Sequence, residues 1–319
     1  MNSKAKNMSM VLITDYVHPK LITQLRIMGY EPIYERGYDP KEIGNIIPDL
    51  TGVIINSKIR MTADVISKAK QLRFIGRLGS GLEIIDLEAA AAANIKVINT
   101  PSGNCNAVGE HAVGMLLSLA NNLIKAHSEV QQMIWKREEN RGIEISGSKV
   151  GVIGFGHTGQ AFARRLSGFN PIISYYDPYV TKIAEDVSHY NGVDMSTIFS
   201  SDIISFHVPL TSETKHMLNY NFIDNCKAQP IIINTSRGKV VDTQALIDGL
   251  ESKKLSGACL DVFENEKPSS YSKEDISTYN RLFSFNNVVL SPHIAGWTHQ
   301  SLEKIADVLI TKIQSLQKV

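Results

Sequence analysis

The fold class that the sequence predicts is α/β, with two doubly wound parallel sheets, and three observations predict it. Short apolar runs alternate with amphipathic segments, the alternation stops near Thr100 and restarts at Lys149, and 319 residues exceed what one hydrophobic core usually serves. Parallel strands need a long crossover between them, so strand and helix patterns in alternation read as βαβ units rather than hairpins.

In the first region the strands are Val11 to Ile13, Gly52 to Ile55, Phe74 to Leu78 and Lys96 to Ile98. Between them, Leu21 to Met28, Ala63 to Ala69 and Leu82 to Ala93 carry helical patterns. Pro101, Gly103 and Asn104 then break the rhythm, which puts a domain boundary near Thr100. Beyond it, Val108, Ala112, Met115, Leu116, Leu119 and Leu123 form one stripe of a long helix, serving either the core or a second subunit. The second region has strands at Val150 to Ile153, Ile172 to Tyr176, Ile203 to Phe206, Ile231 to Asn234, Gly257 to Leu260 and Val288 to Leu290. Lys267 to Thr278 is polar enough to be an exposed loop. Leu302, Ile305, Ala306, Leu309, Ile313 and Leu316 make a closing helical stripe, with no regulatory domain expected after it.

Composition narrows the function classes. With 33 basic against 32 acidic residues and 43% hydrophobic content, the chain is ordinary and globular, and nothing calls for nucleic acid. No apolar stretch is long enough to span a bilayer. Met1 to Met10 lacks the apolar core and cleavage site of a secretory signal and reads as a short disordered leader. Cys105, Cys226 and Cys259 are odd in number and widely separated, so neither a disulfide framework nor a metal site is expected, and a reducing cytoplasm fits.

The strongest local signal is Gly154-Phe155-Gly156-His157-Thr158-Gly159, which directly follows a strand and opens a helix. Gly154 permits the tight turn, Gly156 lets backbone approach a pyrophosphate, and Gly159 lets helix pack on strand. The phosphates would meet the N–H groups and positive dipole of the helix start, at His157 and Thr158. Asp177, 18 residues beyond Gly159 at the end of the next strand, can accept from both ribose hydroxyls. No arginine adjoins it to neutralise a 2'-phosphate, so the expected cofactor is NAD rather than NADP.

Working residues of a doubly wound sheet gather beyond the carboxyl ends of its strands. There the sequence places His207-Val208-Pro209, Asn234-Thr235-Ser236-Arg237-Gly238, Asp261 with Glu264 and Glu266 behind it, and Ser291-Pro292-His293. Together with Arg77-Leu78-Gly79-Ser80-Gly81 and Asn99-Thr100-Pro101, these motifs resemble the D-isomer-specific 2-hydroxy acid dehydrogenase family over nearly the whole chain. The resemblance implies a Rossmann-type NAD domain, residues 100–294, inserted into a flavodoxin-like substrate domain, residues 1–99 and 295–319. It further implies hydride exchange between nicotinamide and C2 of a small 2-hydroxy or 2-keto acid, with His293 as acid and base. Glu266 would orient that ring and favour its imidazolium form, and Arg237 would grip the substrate carboxylate.

By the same resemblance, Ser80 and Gly81 offer backbone N–H groups to the substrate, with Asn56, Ser57 and Asn104 bordering it. Asp261 would accept from the nicotinamide carboxamide, and Thr235, His207, Pro209 and Gly296 would line the cofactor. His207 reads equally as a satisfied loop histidine. The family's Glu-Pro junction is here Glu266-Lys267-Pro268, which leaves Glu264 and Glu266 both open as the partner of His293, the spacing from Asp261 favouring Glu266. The expected substrate is D-3-phosphoglycerate, a step of serine biosynthesis, although Asn56 stands where phosphoglycerate-acting members commonly carry arginine. Arg60, Arg77 or Lys58 would then meet the phosphate. Glyoxylate or hydroxypyruvate reduction and a D-lactate-type activity stay open. So does a binding module of the NADH-sensing corepressor kind, against which the catalytic set argues. The expected assembly is a homodimer.

Overall fold

The structure is a computed structural model that describes residues 9–317. The chain falls into two compact units, Met1–Asn104 with Trp297–Val319, and Cys105–Gly296. Eight of the ten residues read as a leader, 1–8, lie outside the described residues, whereas Ser9 and Met10 already belong to the first strand. They pair with Tyr30 and Glu31, so that part of the expectation is corrected.

The first unit holds β1 (Ser9–Ile13), β2 (Tyr30–Tyr34), β3 (Leu50–Ile55), β4 (Phe74–Arg77) and β5 (Lys96–Ile98), all parallel, in the order β2-β1-β3-β4-β5. That is the flavodoxin-like order. Every residue of β3 is buried, as expected of a parallel strand covered on both faces. Strand β2 has no counterpart in the sequence reading because Pro32 interrupts it, and proline is tolerated there because β2 is an edge. The closing helix His299–Leu316, capped reciprocally by Thr298 and Ser301, lays Ala306, Leu309 and Ile313 against Val11, Ile13, Ile54 and Phe74.

The second unit holds β6 (Lys149–Ile153), β7 (Ile172–Tyr176), β8 (Asn191–Gly192), β9 (Ile203–Phe206), β10 (Ile231–Asn234), β11 (Gly257–Leu260) and β12 (Val288–Leu290). Their order is β12-β11-β10-β9-β6-β7-β8, again parallel. The chain winds outward from β6 through β7 to one edge, then restarts at β9 toward the other. The point of reversal, between β6 and β9, is where a ligand crevice forms in such sheets. Alternation along β10 sends Ile232 into the core of one face and Ile231 and Ile233 into that of the other.

Three expectations are corrected here. Pro101, Gly103 and Asn104 do not break the chain but open the helix Pro101–Ala120, because proline has a preset φ and its missing N–H is no loss in a first turn. Gly103 belongs there for packing, since a Cβ would lie 2.9 Å from Ile305 Cα. The apolar stripe ends with that helix: Asn122 turns left-handed at φ 52, and Leu123 opens a separate helix, Leu123–Gln131, with its own side chain 54% exposed. The polar stretch Lys267 to Thr278 is also not simply a loop. Ser272 and Asp275 form a capping box for the helix Lys273–Phe283, which buries Tyr279 and Leu282. No described helix is long and apolar enough to cross a membrane, and no group of three or more His, Cys, Asp or Glu among the described residues could hold a metal.

Candidate active site

The glycine turn leaves β6 with Gly154 at φ +88, and a Cβ there would stand 2.6 Å from the carbonyl oxygen of His207. At Gly159 it would stand 2.0 Å from the carbonyl of Gly154, so only glycine lets the helix His157–Leu166 start so close to the strand. A Cβ on Gly156, the N-cap, would meet nothing within 4 Å, and no side chain caps the first turn. Its N–H groups and dipole are thus presented to an anion. Asp177 is pinned at the same mouth: Oδ2 accepts from Phe155 N (2.7 Å) and Oδ1 from Tyr179 N (2.9 Å). A carboxylate so held keeps lone pairs for two further donors. At the end of β10, Thr235 Oγ1 is buried without a hydrogen-bond partner. An open helix start, a fixed carboxylate and an orphaned hydroxyl fit a dinucleotide, which Gly156, His157, Thr158, Asp177 and Thr235 would hold.

His207 faces inward rather than toward a cofactor rim. Its Nε2 pairs with Ser205 Oγ at 2.8 Å, its ring lies against Phe162, and burial pushes its pKa down to about 3. The ring stays neutral, and what His207 offers the nucleotide turn is its backbone against Gly154. Pro209 follows on the surface, its carbonyl accepting from Thr214 Oγ1.

His293 sits beyond β12 with φ +56, a left-handed backbone uncommon outside glycine, although Asn, Asp and His adopt it more often than other residues. Its N–H donates to the carbonyl of Asp261 at 2.7 Å. The Asp261 carboxylate, 1% exposed, accepts from Ile294 N (2.9 Å), Ala295 N (2.8 Å) and Ser291 Oγ (2.5 Å). Asp261, expected to accept from a nicotinamide amide, is bonded to the loop that carries His293. It holds the loop by four hydrogen bonds, three through its carboxylate to Ser291, Ile294 and Ala295 and one through its backbone carbonyl to His293 itself. On the ring itself, Nδ1 pairs with Glu266 Oε2 at 2.7 Å, which leaves Nε2 directed elsewhere. Glu266 also accepts from Phe263 N at 3.2 Å. Burial would raise its pKa, but the bond and charge of His293, the Phe263 amide and the charge of Arg237 together hold it below the ordinary carboxylate value.

The open choice between the two glutamates is decided by geometry: Glu264 pairs with His216 Nε2 at 2.8 Å and accepts from Thr243 N and Oγ1. Arg237, beyond β10, donates from Nη1 to the carbonyl of Ser236, and its own carbonyl accepts from Asn234. Gly238 follows it, and a Cβ there would lie 1.9 Å from the carbonyl oxygen of Phe263. Backbone on backbone, the Arg237 turn rests on the Glu266 loop. Gly296 is half-buried at the end of the His293 segment.

In the first unit, β4 ends in Arg77 and then Gly79, at φ +147, whose N–H donates to Thr100 Oγ1 and to Arg77 O. Ser80 and Gly81 follow, with the Ser80 carbonyl bound by Asn99 Nδ2. Asn56 is engaged: its N–H donates to the buried Asp15 and its Oδ1 accepts from Arg77 Nη1 at 2.6 Å. Ser57 is exposed, and Asn104 Oδ1 is buried without a partner.

Residues 113–295 match the family model described as D-isomer specific 2-hydroxyacid dehydrogenase, NAD binding domain. The chain belongs to this family. It is 32% identical over 309 residues to a D-3-phosphoglycerate dehydrogenase of Archaeoglobus fulgidus, covering 97% of this chain and 57% of that protein. It is 37% identical over 273 residues to a hydroxypyruvate reductase of Thermotoga maritima, covering 85% and 86%. The chain therefore spans just over half the length of the phosphoglycerate enzyme. Among solved structures it is similar to the D-lactate dehydrogenase of Aquifex aeolicus complexed with NAD and lactic acid, with TM-score 0.84, 27% identity, and coverage of 97% and 95%.

Sequence reasoning passed over residues that touch the candidate site residues. His111 Nε2 pairs with Ser291 Oγ at 2.8 Å, close to Asp261, and Ser291 Oγ also touches Met115 Sδ. The signal was present: His111 and Met115 are one turn apart on the same helix face. Asp15 and His216 gave none, because each meets a partner distant in sequence.

Proposed function

We propose that this chain is an NAD-dependent D-2-hydroxy acid dehydrogenase with His293 as its acid and base. The observation that carries the reading is the 2.7 Å pair between His293 Nδ1 and Glu266 Oε2, with the charge of Arg237 acting on the same carboxylate. NAD, when bound, takes or gives the hydride at its nicotinamide. His293 Nε2 accepts the proton from the C2 hydroxyl during oxidation and returns it during reduction. Glu266, kept ionised, fixes the tautomer by receiving the Nδ1 proton and stabilises the imidazolium that forms. Arg237 pairs with the substrate carboxylate and aligns C2 for transfer. Ser80 and Gly81 supply backbone donors from the loop after β4, with Asn56, Ser57 and Asn104 beside it. Asp177 selects NAD by its negative charge. Glu266 rather than Glu264 is the functional carboxylate.

The finer reading is D-3-phosphoglycerate and 3-phosphohydroxypyruvate, as in serine biosynthesis, resting on the similarity to phosphoglycerate dehydrogenases. Hydroxypyruvate is the second reading. It is favoured because Asn56 and Arg77 bind each other, Lys58 donates to the carbonyl of Arg36, and the hydroxypyruvate reductase is matched over most of its length. That leaves Arg60 as the cation for a phosphate. Following NADH absorbance against phosphohydroxypyruvate, hydroxypyruvate, glyoxylate and pyruvate separates these readings. A His293→Ala variant that still binds NADH should lose turnover by orders of magnitude, and full activity would end the assignment. A homodimer is also proposed, on the exposed apolar residues Leu123, Ile124, Val130, Met133, Trp135 and Ile143, and light scattering tests it.

A further inference from the structure

We propose that His216 is a positioning residue that staples the Arg237 turn to the Glu266 loop and so sets the geometry of the catalytic group, an inference that rests on the site assigned above. Arg237 follows β10 and Glu266 follows β11, so their spacing depends on how two separate loops sit against each other. His216 comes from a third segment, after β9, and holds both. Its backbone N–H donates to the carbonyl of Lys239 at 2.7 Å, two residues past Arg237. Its side chain Nε2 meets Glu264 Oε2 at 2.8 Å, two residues before Glu266. Because a carboxylate only accepts, Nε2 carries the proton.

Both ends of the staple are themselves anchored. Next to the first, Leu218 N donates to the carbonyl of Val240, and Asp242 N donates back to the carbonyl of Leu218. At the second, the other oxygen of Glu264 accepts from Thr243 N (3.0 Å) and Thr243 Oγ1 (2.8 Å), at the start of the helix Thr243–Glu251. His216 itself holds φ 49, a left-handed backbone uncommon for residues other than glycine. A half-exposed His–Glu pair adds little to stability as an ion pair. What this one does is fix register. Asn219 Nδ2, bound to the His216 carbonyl, locks the turn that aims the ring.

The test compares His216→Ala, His216→Gln and Glu264→Gln with the wild-type chain and with His293→Ala, using the 2-keto acid that turns over fastest. Glutamine at 216 keeps an N–H donor near the position of Nε2. His216→Ala should lower kcat about tenfold or more, with the NADH dissociation constant, read by fluorescence, within about twofold of wild type. His216→Gln should recover most of the loss. A folded His216→Ala with kcat within about twofold overturns the staple, as does a loss that glutamine fails to restore or that follows weakened NADH binding. If the alanine variant does not fold, Glu264→Gln, which keeps an acceptor for Thr243, takes its place under the same criteria. Full activity of His293→Ala would instead defeat the site assignment. An inactive His293→Ala beside an unaffected His216→Ala defeats the staple alone.

Discussion

Replacing Gly238 by alanine adds one methyl group at the junction of the Arg237 turn and the Glu266 loop. The new Cβ would stand 1.9 Å from the carbonyl oxygen of Phe263, 2.0 Å from its carbon and 2.6 Å from Glu264 N. All three are backbone atoms, so no side chain can swing aside. The closest approach falls 1.5 Å short of the 3.4 Å at which ordinary contact begins, and one loop must move by about that much. Phe263 N is also a donor to Glu266, so displacement reaches the carboxylate that orients His293. A misplacement of about 1 Å costs roughly 100-fold in rate where reaction depends on alignment. Overpacking of this kind costs about 1–3 kcal/mol in stability. The variant should therefore fold with a lowered melting temperature and a kcat reduced about 100-fold, while NADH binding, measured by fluorescence, holds. A kcat within about twofold of wild type would refute the claim that Arg237 and Glu266 work as one fixed set.

Asp261→Asn puts a donor where Asp261 accepts from backbone amides, leaving one buried N–H unpaired at about 1–3 kcal/mol, and should both lower the melting temperature and loosen the His293 loop. Unchanged activity and stability would show that the loop needs no carboxylate. Asp177→Ser should narrow the preference for NADH over NADPH at least about tenfold in binding titrations; a wild-type protein that takes both equally removes the argument. His207 has a folded pKa of about 3, below the ordinary 6.5, because it is buried. Its folded form binds fewer protons, so its stabilising contribution is present above pH 6.5 and is lost as pH falls toward 3. Stability should drop by up to about 1.4 kcal/mol per pH unit in that window, and His207→Gln should flatten the slope in urea titrations. Equal slopes would contradict the burial.

The parts of the site that were legible in the sequence are those whose chemistry is local. The glycine turn follows from three positions within six residues, of which Gly154 and Gly159 meet steric demands that no other side chain satisfies, while Gly156 leaves open space for a ligand. Asp177 follows from the strand that precedes it. The parallel, doubly wound character of both sheets was legible as well, since alternating strand and helix patterns read as βαβ units, whereas the flavodoxin-like and Rossmann-type arrangements came from the family resemblance. Strand β2 was not legible, because Pro32 contradicts the strand propensity that its edge position tolerates. Nor was the helix from Lys273, whose polar start looks like a loop until Ser272 and Asp275 cap each other.

What the sequence by itself determined was a dinucleotide turn, an acid at the end of the next strand, and an arginine, glutamate and histidine at successive strand ends. The tertiary structure alone decided which carboxylate meets His293, because Glu264 and Glu266 differ only in direction, and direction depends on His216 and Thr243 far along the chain. It also showed which partners within the chain the side chains of Asp261 and His207 take. Burial sets both outcomes, since a polar group removed from water must find its partners within the fold, and those partners, Ser291, Ile294 and Ala295 for one and Ser205 for the other, were set by the packing of the strands.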